Sequence, residues 1–337
     1  MDRCRLIAIC GLLLTCPAHG FEIDHQAVAK ARAEFVADMV ADHGFDEAEL
    51  GQALGEAEIK ERILELISRP AERVLAWHEY RDLFLNEKRI REGVAFWQDN
   101  ADLLADISTR YQVAPRMLVA IVGIETYYGR LTGGYRVLDA LSTLAFAYPP
   151  RAKFFRSELE AFLLLSREEG VNLSEPLGSY AGAMGAPQFI PSSFRAYAVD
   201  ASADGRRDIW NNWADVLGSV ANYFKVHGWR DSEPVATRAT LGSNWRGPEP
   251  RNTLQLNDTV ASLSESGYVF ATEQPENAPT MIMSLEGSDD QEYWVGYHNF
   301  RVITRYNRSV MYALAAHLLA DEIQLRVDAA QLELAQQ

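Results

Sequence analysis

The chain has 337 residues, 48% of them hydrophobic and 23% charged, and a formal net charge of −15. That length is ample for a large core or for two or three lobes. An acidic surface repels nucleic acid and anionic lipid heads, so neither is expected as a partner, whereas a neutral carbohydrate is not excluded.

The first twenty residues read as an export signal. Met1 to Arg5 is a basic start, Leu6 to Thr15 is an apolar stretch too short to span a bilayer, and Ala18-His19-Gly20 has the small residues of a cleavage site. Cleavage after Gly20 leaves Phe21 first and changes the net charge to −16, because Asp2, Arg3 and Arg5 leave together. The expected location is then the periplasm. The alternative is a lipid on Cys16, after Leu13-Leu14-Thr15, which gives an outer-membrane lipoprotein; threonine fits poorly just before such a cysteine. Cys4, Cys10 and Cys16 all lie in the segment to be removed, so no disulfide is expected in what remains.

Residues 21–110 read as an N-terminal helical region. Helical spacing of apolar residues runs over Ala27–His43, Glu56–Ile67 and Glu92–Tyr111. Residues 111–230 read as a core. It holds helical segments at Leu138–Phe146, Arg151–Glu168 and Asp215–His227, and an irregular Gly/Ser/Pro/Ala-rich loop over 171–192. Residues 231–337 begin with a polar surface connection from Asp231 to Asn252. Strand-like runs follow at Thr280–Leu285, Glu292–Tyr297 and Phe300–Thr304, then a final amphipathic helix from about Arg308 past Leu325. The fold class expected is mainly α, of α+β type, with a small β element.

Chemistry concentrates first at Glu125. Pro115 to Ile124 carries one charge, Arg116, and proline suits the first turn of a helix. A helix apolar on nearly all sides is a buried one. Burial disfavours the carboxylate and raises its pKa, as a general acid for glycoside cleavage requires. The competing reading is a glutamate at the wet tip of that helix, or one paired with Arg130. A second signal is Ser179 to Ser193, rich in small residues that let a backbone approach a ligand. There Gln188 offers a donor and an acceptor, and Phe189 a face for a sugar ring; a tight loop with a buried glutamine is the plainer reading. The third is Arg305-Tyr306-Asn307-Arg308-Ser309-Val310-Met311-Tyr312, in which Asn307 and Ser309 can cap the last helix and the tyrosines can line a groove. A fourth is Asp200-Ala201-Ser202-Ala203-Asp204-Gly205-Arg206-Arg207-Asp208. It opens like an EF-hand loop but has Asn211 where the twelfth-position glutamate belongs. Asp200, Ser202, Asp204, the Arg206 carbonyl, Asp208 and Asp215 are the candidate calcium ligands, in a loop spanning 200–215; an Asp/Gly turn without metal is the alternative.

Together Gly123–Gly129, Gly178–Gly185 with Gln188–Ser193, Gly218–Phe224 and Ile303–Asn307 resemble the lytic murein transglycosylase B family, glycoside hydrolase family 103. The resemblance extends from about Phe35 to Leu325. It implies a lysozyme-like helical core of the goose type, with Glu125 as the single catalytic acid. It also implies groove positions at Ser179, Gln188, Phe189, Tyr223, Tyr306, Asn307 and Tyr312. Arg151 matches one of two adjacent arginines thought to meet the peptide or sugar acid groups; Pro150 stands where the other belongs. The implied substrate is the glycan strand of peptidoglycan, cleaved between MurNAc and GlcNAc without water to leave a 1,6-anhydro end. The implied enzyme is a monomer that needs no cofactor, with any bound calcium structural and with wall-synthesis or division proteins as the partners to consider. A lysozyme-type hydrolase and a non-catalytic wall-binding protein are the alternatives.

Overall fold

The computed structural model describes residues 23–68, 75–247 and 249–335. The expected export signal, Cys16 and the expected Gly20–Phe21 cleavage junction lie outside them. The first helices are α1 His25–His43, α2 Glu47–Gly55, α3 Glu61–Ser68, α4 Trp77–Phe84, α5 Glu87–Asp99 and α6 Ala101–Tyr111. Their starts follow from side chains that accept otherwise unpaired N–H groups. Asp24 accepts from Gln26 and Ala27, Asp46 from Glu49, and Asn86 from Arg89. Asn100 closes α5 and opens α6, so the helix expected over Glu92–Tyr111 is two helices. The expected Glu56–Ile67 helix starts only at Glu61, because the backbone N–H groups of Glu58 and Lys60 donate to Asp139 and Thr143 instead of continuing the helix.

Next come α7 Pro115–Thr126, β1 Tyr135–Arg136, α8 Val137–Ala147, a short 3₁₀ turn at Pro149–Arg151, α9 Ala152–Glu169 and β2 Leu177–Gly178. Helices α10 Pro191–Tyr197 and α11 Trp213–Val226 follow. Every residue of α7 from Met117 to Ile124 is buried. Each fully buried Leu, Ile or Val there contributes about 1.5–3 kcal/mol of transfer free energy. Helices α5, α6 and α11 pack around it. The core that results is continuous through most of the chain.

The last stretch holds β3 Ala236–Leu241, β4 Asp258–Thr259, α12 Val260–Glu265, β5 Tyr268–Val269, β6 Pro279–Glu286, β7 Gln291–Gly296, α13 His298–Tyr306 and α14 Val310–Ala335. The sheet is antiparallel, in the order β4-β6-β7-β3-β5. Strand β3 lies inside the segment expected to be a surface connection. Phe300–Thr304, expected as a strand, is the middle of α13. Its β-branched residues suit a strand locally. The Asn299 side chain, however, bonds Arg230 and Glu233, and Phe300 and Ile303 point into the core, which overrides that preference. Helix α14 returns to pack on α7, α5 and α4. The buried carboxylate of Glu292 on β7 ties the sheet to α4, accepting from the indoles of Trp77 (3.1 Å) and Trp294 (3.2 Å). Among the described residues no helix is long and apolar enough to cross a membrane.

Candidate active site

Glu125 is the penultimate residue of α7, and the chain reverses immediately after it. Tyr127, Tyr128 and Gly129 take φ values of 53°, 59° and 80°. Two non-glycine residues in succession in the left-handed region cost energy, so the surroundings must hold them there. Several contacts do so. Tyr128 Oη donates to the Arg89 carbonyl at 2.9 Å, and its ring lies over Gly123, where a Cβ would come within 2.7 Å. The Arg89 guanidinium donates to the Gly123 carbonyl and lies 4.6 Å from the Tyr127 ring centre. Thr126 Oγ1 donates to the Ala186 carbonyl at 2.9 Å, which joins the turn to the 179–190 loop.

Tyr312, in the first turn of α14 and 3% exposed, donates its hydroxyl to Glu125 Oε1 at 2.5 Å. Protein surrounds the Glu125 carboxylate, although the residue as a whole is half-buried and not sealed in the core. Burial pushes its pKa up to about 7, and the Tyr312 hydrogen bond, which favours the ionised form, pulls the other way. Among the described residues no neighbouring acid adds to that rise. Arg130, the partner of the competing sequence reading, bonds Glu92 instead.

Tyr80 on α4 also faces this carboxylate. Its phenol is raised first by burial and then by the charge of Glu125. The sequence reading missed it, since α4 carries no motif; the aromatic cluster Trp77–Tyr80 was the available signal.

The other expected groove residues divide into two sets. Tyr306 Oη donates to the Pro187 carbonyl and Tyr223 Oη to the Arg305 carbonyl, both at 2.6 Å. Burial, then the Glu125 charge, holds the Tyr306 phenol well above its usual range. Phe189 is 2% exposed and packs against both tyrosines, at 5.8 and 5.9 Å between ring centres. The expected stacking of Phe189 on a sugar is therefore corrected: its ring supports the tyrosines from behind. Gln188, at φ 51°, donates its amide to the carbonyls of Thr132 and Gly185, both at 3.0 Å. Its donor is engaged within the protein, and its oxygen accepts no hydrogen bond among the described residues. Ser179 Oγ accepts from Ala181 and Ala183 and closes the loop. Asn307 is exposed at the end of α13. Arg151 is exposed, with its guanidinium over Phe154 and Phe155.

In the 200–215 loop, carboxylate oxygens of Asp200, Asp204 and Asp215 lie within 4.8 Å of one another. Asp215 is buried and accepts from the backbone of Ala201, Ser202 and Asp208. Ser202 Oγ bonds Asp200 at 3.2 Å. This all-oxygen set fits a hard cation. Asp208 is not brought to it: its Oδ1 caps the next turn by accepting from Trp210 and Asn211.

Residues 27–321 match the family model described as the Transglycosylase SLT domain. The chain belongs to this family. The membrane-bound lytic murein transglycosylase B of Escherichia coli is 38% identical over 301 residues, covering 87% of this chain and 82% of that protein. The catenated lytic transglycosylase SltB1 of Pseudomonas aeruginosa superposes with a TM-score of 0.84 at 47% identity, covering 88% of this chain and 97% of that one. The Escherichia coli lytic transglycosylase Slt35 in complex with calcium gives a TM-score of 0.79 at 37% identity, covering 88% and 93%. The expected fold class, helical and lysozyme-like with a small sheet, is borne out. The protein is a lytic transglycosylase, a lyase that acts on peptidoglycan.

Proposed function

We propose that Glu125 alone serves as both acid and base in this lyase. The observation that carries the reading is a single buried carboxylate, its pKa pushed up to about 7, hydrogen-bonded by Tyr312, with no second acid among the described residues adding to that rise. A glycosidase that uses water needs a second carboxylate. Here the substrate supplies what is missing. Glu125 gives its proton to the oxygen linking MurNAc to GlcNAc, and that C1–O bond breaks. The 2-acetamido oxygen of MurNAc supports the cationic C1. The C6 hydroxyl then attacks C1 while the Glu125 carboxylate takes its proton, which closes the 1,6-anhydro ring and restores the acid. A group held within the same sugar attacks at high effective concentration. The tyrosines at 306 and 312, with Tyr223 supporting them, and the oxygen of Gln188 orient the strand; Ser179 and Asn307 belong to the same groove. Arg151 meets acidic groups of the substrate. Mass spectrometry of the products tests the reading: each new MurNAc end must be lighter by one water than a hydrolase would leave it.

The 200–215 loop holds calcium through Asp200, Ser202, Asp204, the Arg206 carbonyl and Asp215. The ion braces the loop and takes no part in the chemistry. The enzyme is exported by cleavage after Gly20 and works in the periplasm; N-terminal sequencing that finds a lipid-modified Cys16 would place it on the outer membrane instead.

A further inference from the structure

A cleft of about 560 Å³ lies beside the groove, walled by the segments around Thr132, Glu175–Leu177 and Arg206–Asn211. This volume lies in the range of small-ligand sites. The cleft borders the groove closely. The Thr132 carbonyl accepts from Gln188, and Leu177 precedes Gly178 and Ser179 in the chain. It lies far from Arg151, because α9 begins next to Arg151 and ends at Glu169 in the cleft wall. An α-helix of that length is roughly 27 Å long.

Five charged residues line the cleft, and three are satisfied internally. Arg207 donates to Glu169 through its backbone N–H (3.0 Å) and its Nε (2.7 Å), and Asp208 caps the turn at Trp210 and Asn211. The two that remain have opposite signs. The exposed side chains of Glu175 and Arg206 form no ion pair and no side-chain hydrogen bond among the described residues. Trp210 lines the same cleft, half-buried, its indole fixed by donation to the Leu177 carbonyl at 3.2 Å.

We infer that this cleft binds the free amino-acid terminus of an uncross-linked wall stem peptide, a group carrying an ammonium and a carboxylate on one carbon. The ammonium meets Glu175, the carboxylate meets Arg206, and the peptide's aliphatic stem lies on Trp210. A simple anion is disfavoured by the net charge of −15. A neutral sugar leaves both charges without a partner. A zwitterion satisfies both and brings no net charge. A cross-link converts that ammonium to an amide and removes half of the recognition, so the cleft distinguishes free from cross-linked peptides. This rests on the proposed action on peptidoglycan, but the cleft does not contain Glu125.

The test is titration of the full chain with the tripeptide L-alanyl-γ-D-glutamyl-meso-diaminopimelate, and with the same peptide acetylated at its terminal amine. The free peptide is expected to bind about tenfold more tightly than the acetylated one, as for a charge-assisted contact near the surface. Glu175→Gln should remove that difference, and Arg206→Ala should weaken both peptides. Glu125→Gln should bind as the parent does, which separates failure of the cleft from failure of the catalytic assignment. Glu175→Gln should also cleave peptide-stripped glycan at the parental rate, yet lose rate on sacculi rich in uncross-linked peptides. Equal binding of the two peptides, or an unaltered difference in Glu175→Gln, overturns the proposal.

Discussion

Tyr312→Phe separates the burial of Glu125 from its hydrogen bond. The hydroxyl sits 2.5 Å from Oε1 and opposes the effect of burial, which holds the acid at about 7. A hydrogen bond to a charged group has a net value of about 1.5–3 kcal/mol. The protonated acid keeps part of that when it meets water instead, so the difference between the two forms is about 1.4 kcal/mol, or roughly one pH unit. The alkaline limb of kcat/KM, which reports the free acid, should therefore move up by about one unit. At pH 8 the parent holds about one-tenth of its Glu125 protonated, and the variant about half. Relative to its own rate at pH 6, the variant should thus retain about five times more activity at pH 8 than the parent does. The plateau itself should fall roughly tenfold, because the acid is less well aimed. The assay is initial-rate release of soluble fragments from purified sacculi across pH 5 to 9 (~ range set by the acid's titration). A limb that stays in place or moves toward acid refutes the claim that Tyr312 lowers the pKa of Glu125.

Three further outcomes are expected. Glu125→Gln should cut turnover by roughly a hundredfold or more, and it should stabilise the fold. An acid raised from the usual ~4.3 to about 7 costs the native state nothing below the lower value, progressively more as pH rises between the two, and a constant amount above the higher one. Melting curves should therefore show a gain of at most about 4 kcal/mol above pH 7 that vanishes near pH 4; a gain that grows toward acid would contradict the sign. Calcium should raise the melting temperature of the parent by mass action, and Asp204→Ala should abolish that rise while leaving metal-free activity in place; a melting curve indifferent to millimolar-order calcium counts against the ion. Gly123→Ala puts a Cβ within 2.7 Å of the Tyr128 ring. It should destabilise by about 1–3 kcal/mol and lower kcat along with Tm, as denaturant melts and kinetics will show.

What was legible in the sequence had local causes. Pro115 and the apolar run from Met117 to Ile124 mark α7, its burial and Glu125 at its end. The Asp/Gly spacing marked the 200–215 loop. What was not legible depended on distant contacts. Tyr80 reaches the site on α4, which is held by packing on α14 and by the Trp77–Glu292 bond to the sheet, 215 residues apart in sequence. The Phe300–Thr304 run has strand composition, and the tertiary bonds of Asn299 together with the burial of Phe300 and Ile303 make it helical. Phe189 illustrates a different limit: a motif shows that an aromatic ring is required but not which way it points. Asp208 was counted with the ligands by spacing, yet its oxygen was already needed by the turn that follows.

The pairing of Glu125 with Tyr312 spans 187 residues of chain. The tuned acid therefore does not exist until α14 has been made and has docked on α7. A nascent or truncated chain lacks the tuned acid even when every residue up to 300 is present. The enzyme acts on a polymer whose uncontrolled cleavage ruptures the cell. Its long-range closure makes completed folding the condition for a tuned acid, since the helix that supplies Tyr312 is the last to be made.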